Sequence, residues 1–199
     1  MAFSSYTDLQ NAIASWLARD DLAAYIPDFI TLFEAYAARR LKVRPMETTA
    51  TLTPSSGSVA LPTDYLGWIR ATVNGDVQID MEYVHPSYLK KLYPSTISDT
   101  PRFFTIEGGA IKTASSDTNT IDFLYYAKNT SVSSSLNWLF NNHPDAYLFG
   151  SLAEAHGFTV DPDKLALWSA RRDGVFNDIE MHHFRESGPM AIQIIGAHP

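Results

Sequence analysis

The chain has 199 residues and no cysteine. Disulfide scaffolds, thiolate catalysis and cysteine zinc sites are therefore excluded, and a chain of this length buries about 70% of its unfolded surface, so it needs no covalent staple. The formal net charge of −7 suits DNA sliding past better than DNA held tightly, since tight binding draws on cations that displace counterions from phosphate.

The opening Met1-Ala2-Phe3-Ser4-Ser5 has no basic region ahead of an apolar run, so no signal peptide is expected. No apolar stretch of about 18 residues occurs, so no membrane-spanning helix is expected either. Thr7-Asp8-Leu9-Gln10 matches a capping box and starts a helix with Leu9, Ile13, Trp16 and Leu17 on one face. Leu22 to Ile26 reads as a short helical turn. Pro27-Asp28 opens a second long helix, whose stripe is Phe29, Leu32, Phe33, Tyr36 and Ala37 and which ends before Pro45. Each helix has one apolar face, so the pair needs further partners. Arg39, Arg40, Lys42 and Arg44 cluster at its end. They read either as cations favoured at a helix C-terminus or as a basic patch facing a partner.

From Glu47 the period changes from 3.6 to 2. Thr49, Thr51 and Thr53 alternate with Ala50 and Leu52, Pro54-Ser55-Ser56-Gly57 forms a turn, and Ser58 to Leu61 is a returning strand. Trp68 to Val73 and Val77 to Met81 flank Asn74-Gly75, a hairpin signal that asks both central residues for positive φ. Pro86 to Leu92 is a small helix, Ser95 to Pro101 a loop, and Phe103 to Ile106 with Ala110 to Thr113 a second hairpin across Glu107-Gly108-Gly109. Ile121, Phe123 and Tyr125 lie on one side of a last long strand, and Thr130 to Ser135 is a serine-rich linker.

Pro144, after a cap at Asn142 or His143, begins a helix that is apolar nearly all round and hence buried on several sides. Gly150 inside it implies close approach by another backbone. Asp161-Pro162-Asp163 opens a final helix with Leu165, Trp168, Val175, Ile179 and His182 on its stripe and Arg172 as a charged intruder, ended by Gly188-Pro189. The uncharged tail contains Ala191-Ile192-Gln193-Ile194-Ile195, a β-prone run that aggregates as an unpaired edge. It is expected to pair, either with its own β domain or as a strand added to a neighbour, with Ile192 and Ile194 on one face and Ile195 on the other.

The fold class expected is α+β: a helical bundle from residues 1–45 and 137–187, an inserted, mainly antiparallel β domain at 46–136, and a C-terminal extension at 188–199. No catalytic, cofactor or metal residues are assigned. His182 and His183 are adjacent, and no His-x-x-x-His or His-Glu-x-x-His occurs. Gly150-Ser151 lacks the flanks of a nucleophile elbow, and Gly108-Gly109 does not precede a helix. The tryptophans and tyrosines suggest base stacking, but such platforms come with basic grooves, so core filling or subunit contact is the better reading.

Asn137-Trp138-Leu139, then Pro144-Asp145 and Tyr147-Leu148-Phe149-Gly150, resembles the C-terminal half of head-to-tail adaptor (connector) proteins of tailed bacteriophages. Arg44-Pro45-Met46-Glu47, Leu61-Pro62, Asp64-Tyr65-Leu66 and Tyr125-Tyr126-Ala127-Lys128 continue the pattern, over roughly Leu9 to Phe176. The resemblance implies a structural virion protein rather than an enzyme: a homo-oligomeric ring of about twelve copies between portal protein and tail proteins, with DNA only as passing cargo and no membrane. It implies location at the head–tail interface of the virion, after assembly in the host cytoplasm. Ile192, Ile194, Ile195, Arg39 and Arg40 are the candidate partner-binding residues. The alternatives are another tail-completion or terminator protein or, in a different class, a cytoplasmic hydrolase.

Overall fold

The computed structural model describes residues 4–186. The chain forms two compact units: one takes the chain up to Arg44 together with the stretch from Thr130 onward, and the other is Pro45–Asn129. With six helices and two largely antiparallel sheets among the described residues, the fold is α+β.

In the helical unit, α1 is Tyr6–Leu17 and α2 is Ile26–Arg40, joined by a 3-10 turn at Asp20–Tyr25. The cap of α1 is Ser5, not Thr7. Its Oγ accepts from the Asp8 N–H at 3.1 Å, while the Asp8 carboxylate accepts from the Ser4 N–H and hydroxyl. The reciprocal device is therefore Ser–Asp, set two residues earlier than expected. Leu9, Ala12, Ile13 and Leu17 are buried, but Trp16 is 43% exposed and rests its ring on Trp168. The buried line of α2 is Ile26, Phe29, Ile30, Phe33 and Ala37. Leu32 lies about 100° round the helix from Phe33 and is 53% exposed, contrary to the expected stripe.

A short helix, α4 (Trp138–Asn142), precedes α5 (Pro144–Phe158), whose cap position is His143. Asn137 organises this junction. Its side-chain oxygen accepts from the Phe140 N–H at 3.0 Å, and its amide donates to the Thr130 carbonyl and to Tyr147 Oη. Tyr147 Oη in turn donates to Glu34, which also accepts the Val132 N–H at 2.7 Å. The serine-rich stretch is thus fastened to α2, with Val132 buried, rather than being a loose linker.

α5 is buried along most of its length, as its composition demands. Gly150 does meet a close neighbour, but it is the ring of Phe33 and not a backbone: a Cβ there would lie 2.7 Å from Phe33 Cγ and nearer still to Cδ2 and Cε2. The last helix, α6, is Pro162–Glu186, capped by the Asp161 carboxylate on the Lys164 N–H. Its buried line is Arg172, Phe176 and Ile179, and Leu165 and His182 are exposed. The stop at Gly188-Pro189 and the isoleucine tail lie outside the described residues.

The β unit contains β1 (Glu47–Leu52), β2 (Ser58–Ala60), β3 (Tyr65–Asn74), β4 (Ile79–Asp80), β5 (Glu82–Tyr83), α3 (Pro86–Leu92), β6 (Phe103–Glu107), β7 (Ala110–Thr113) and β8 (Thr120–Ala127). One sheet has the order β1-β8-β3-β4 and the other β2-β7-β6-β5. They share a core of Val73, Met81, Phe104, Ile111, Ile121 and Phe123. β5 and β6 run parallel; such pairing needs a crossover, and α3 lies on it.

Two local expectations are corrected here. β2 does not return along β1 but pairs with β7 in the other sheet. At Gly57 (φ +75°) the chain passes against that sheet, and a Cβ would lie 2.7 Å from the Ser115 carbonyl oxygen. Neither Asn74 nor Gly75 takes positive φ. β3 and β4 pair Val73 with Ile79, so the connection is longer than the expected two-residue turn, and Val77 is 70% exposed in it. Gly108 and Gly109 do take positive φ, 60° and 73°, between the paired residues Glu107 and Ala110, as a mirror-image two-residue turn requires.

Candidate assembly surfaces

The basic cluster at the end of α2 divides. Arg40 is ion-paired with Glu180 and donates to the Asn177 side chain, so it ties α2 to α6. The Arg44 N–H donates to His183 Nδ1. Arg39 and Lys42 are exposed beside them. Of the sequence-selected residues, Arg39 and Arg40 thus come to the last turn of one helix, one outward and one engaged, while Ile192, Ile194 and Ile195 lie outside the described residues.

The second arginine pair also divides. Arg172 is buried, with its guanidinium 3.9 Å from the centre of the Tyr36 ring and its Nε donating to Asp173 at 2.9 Å. Tyr36 Oη donates to the same carboxylate oxygen. The arrangement places a desolvated cation over a ring face, where attraction to the ring quadrupole is strongest, and Arg172 and Tyr36 together hold the Asp173 carboxyl below its ordinary range against the opposing effect of burial. The exposed Arg171 covers the stacked rings of Trp168 and Phe149.

Burial pushes the His156 imidazole below its ordinary pKa, and Lys164 adds to the effect while Asp161, 4.0 Å away, opposes it. Its Nδ1 has no hydrogen-bond partner. In the β unit the Tyr125 hydroxyl, buried and donating to Asp64, is pushed up to about 12. Among the described residues no group of three or more histidines and carboxylates converges as a metal site. No described helix is long and apolar enough to cross a membrane.

Two exposed apolar surfaces on the helical unit were not foreseen. On the outer side of α6, Leu167, Gly174 and Met181 recur at seven-residue steps with Phe184 beyond them; Met181 and Phe184 are 54% and 70% exposed. The open space over Gly174 leaves its glycine unexplained within the chain itself, although glycine costs about 1 kcal/mol in a helix interior. That spacing was the available signal. The second surface is where α5 turns into α6. The rings of Tyr25 and Phe158, 5.4 Å apart between centroids and tilted, are half exposed there, and Val160, a β-branched residue at φ 55°, is almost fully exposed. Such a conformation costs about 1–3 kcal/mol.

The architecture is therefore one of apolar outer faces and locked internal ion pairs. A family model described as SU10 adaptor protein matches residues 4–193. No curated protein matches the chain. The match takes in every described element from α1 to α6, and the chain belongs to the SU10 adaptor protein family, a family of phage head-to-tail adaptors.

Proposed function

We propose that this phage adaptor assembles as a ring of about twelve copies between portal and tail proteins and that DNA passes through it. The family match over residues 4–193 carries this reading. A ring needs a heterologous interface, one patch on each copy meeting a different patch on the next. The outer face of α6, with Leu167, Met181 and Phe184 exposed around the uncovered Gly174, supplies one such patch. The apolar turn at Tyr25, Phe158 and Val160 supplies a second, different one. The protein's work is assembly and passage, not turnover, and it takes place at the head–tail interface of the virion after assembly in the host cytoplasm. The 188–199 extension, with Ile192, Ile194 and Ile195, binds a neighbouring copy or the portal. Arg39 faces the partner, while Arg40 holds α2 to α6.

The test is assembly with purified portal, read by sedimentation and electron microscopy. The wild-type chain is expected to give a portal-bound ring. Met181→Glu with Phe184→Glu, both on exposed positions, keeps the circular dichroism unchanged and abolishes the ring, and deletion of residues 189–199 abolishes portal binding. A protein that stays monomeric with portal and is absent from particles overturns the proposal.

A further inference from the structure

Between α3 and the β6–β7 hairpin lies a cleft of about 310 Å³, near the lower end of the range for ligand sites. It is built within the β unit alone. Its lining includes Thr105, which pairs across the strands with Lys112. Thr105 is 2% exposed, and its hydroxyl has no hydrogen-bond partner. A buried hydroxyl left unsatisfied has lost its water without a replacement, so a partner for it is to be sought.

The charges around that hydroxyl limit what the partner can be. Lys112 Nζ lies 2.8 Å from Glu107 Oε2, so these two nearly cancel. Lys90 on α3 lines the same cleft, and its ammonium joins Lys112 in holding the Glu107 carboxyl below its ordinary range. The site therefore carries one surplus positive charge in a chain of net charge −7. A cationic ligand would meet two ammonium groups, and a dianion would meet the Glu107 carboxylate. A monoanion fits, with Lys90 as counter-charge and Thr105 as donor. The walls beside them, Leu89 and Tyr93, are apolar enough to cover a short carbon stem.

We propose that this cleft receives the carboxylate of an aspartate or glutamate side chain on an extended segment of a partner protein. The choice of a protein partner rests on the adaptor reading, and the choice of a carboxylate rests on the cleft. Lys90 supplies charge attraction, Thr105 donates to one carboxylate oxygen and fixes its orientation, and Lys112 with Glu107 sets the limit of one negative charge.

The full chain, methyl-labelled for NMR, is titrated with acetyl-Ala-Glu-Ala-amide, its glutamine counterpart, acetate and inorganic phosphate. A single charged anchor binds weakly, with a dissociation constant on the order of 1 mM. Saturating shifts are expected at Leu89 and Ala114, and the glutamate peptide should bind at least tenfold more tightly than the glutamine peptide. Thr105→Val, close to isosteric, and Lys90→Met, on an exposed position, should each weaken the glutamate peptide about tenfold. Thr105→Val should leave the thermal midpoint unchanged or raised, because the hydroxyl it removes has no partner. Equal affinity for the two peptides, tighter binding of phosphate, or no shift at about 20 mM peptide overturns the proposal. A titration that fails in a protein that still assembles on portal overturns the cleft alone. A protein that binds the glutamate peptide but never assembles overturns the adaptor reading alone.

Discussion

Gly150→Ala in α5 sets two effects of opposite sign against each other. Alanine is the better helix former by about 1 kcal/mol. The new methyl, however, would sit 2.7 Å from Phe33 Cγ and closer to two other ring carbons, where ordinary carbon contacts are about 3.5–4.0 Å. The ring must retreat by on the order of 1 Å or more. It cannot do so freely, because Phe33 is fully buried between Tyr147, at 5.0 Å between centroids, and Phe176, at 6.0 Å. Overpacking of a tight core costs about 1–3 kcal/mol and sometimes more, and the confinement on both sides places this case at or above the top of that range. After the helix gain, a net loss of about 2–3 kcal/mol is expected. That corresponds to roughly 4–12 °C in the thermal midpoint for a chain of this size. Unfolding followed by circular dichroism should be run as a double-mutant cycle with Phe33→Leu, which removes the offending ring edge. In that background Gly150→Ala should become neutral or stabilising. A single variant as stable as wild type, or a cost that persists without the ring, would refute the reasoning.

Arg172→Lys should destabilise the helical unit by about 1–2 kcal/mol, because an ammonium lacks the flat face that stacks on Tyr36 and the fixed fork that reaches Asp173; an unchanged thermal midpoint would dismiss the stacking account. The folded state depresses the His156 pKa, so the unfolded chain takes up the proton first as pH falls. The stability it contributes is complete above its unfolded value of about 6.5 and is lost on going down through the folded value. Midpoints recorded from pH 8 to 5 should fall in wild type and fall less in His156→Gln, and parallel curves would exclude this histidine as the cause.

The α+β class and most helix starts were legible because they depend on residues close in sequence. Pro27, Pro144 and Asp161-Pro162 each stand within a residue or two of where a helix begins. The Gly108-Gly109 hairpin was legible for the same reason, since two adjacent glycines meet its backbone demand within the turn itself. Asn74-Gly75 misled, since the strands stop pairing before they reach it and the longer loop asks nothing unusual of either residue. The route of Ser58–Ala60 could not be read locally, because its partner in β7 is chosen by tertiary packing. Arg172 looked like an intruder on an apolar stripe because the ring that accepts it, Tyr36, lies far away in sequence. The reason for Gly150 was misjudged likewise: a gap in a helix shows that something approaches, but not that it is a phenylalanine. At the exposed apolar surfaces, periodicity alone could not tell the buried line of α6 from its exposed one, since both carry apolar residues at helical spacing.

Synthesis from the N-terminus has a particular consequence for a unit made from both ends of a chain. Tyr36 waits for Asp173, 137 residues later, which at ordinary translation rates is on the order of ten seconds. Until then Phe29 and Phe33 have no α5 or α6 to cover them, and a holding chaperone has its longest opportunity. The β unit is complete much sooner, and its entrance and exit are adjacent: Glu47 pairs with Tyr126 across β1 and β8, about 5 Å apart in the bonding direction. Bringing together the ends of an open loop of that length would cost on the order of 4 kcal/mol in chain entropy. Once the sheets have formed, that closure is already complete when the late helices emerge. The inserted unit thus acts as a folding clamp for the unit that surrounds it in sequence, and a substitution that merely delays β1 from joining β8 would slow helix docking without touching a single residue of the helical core.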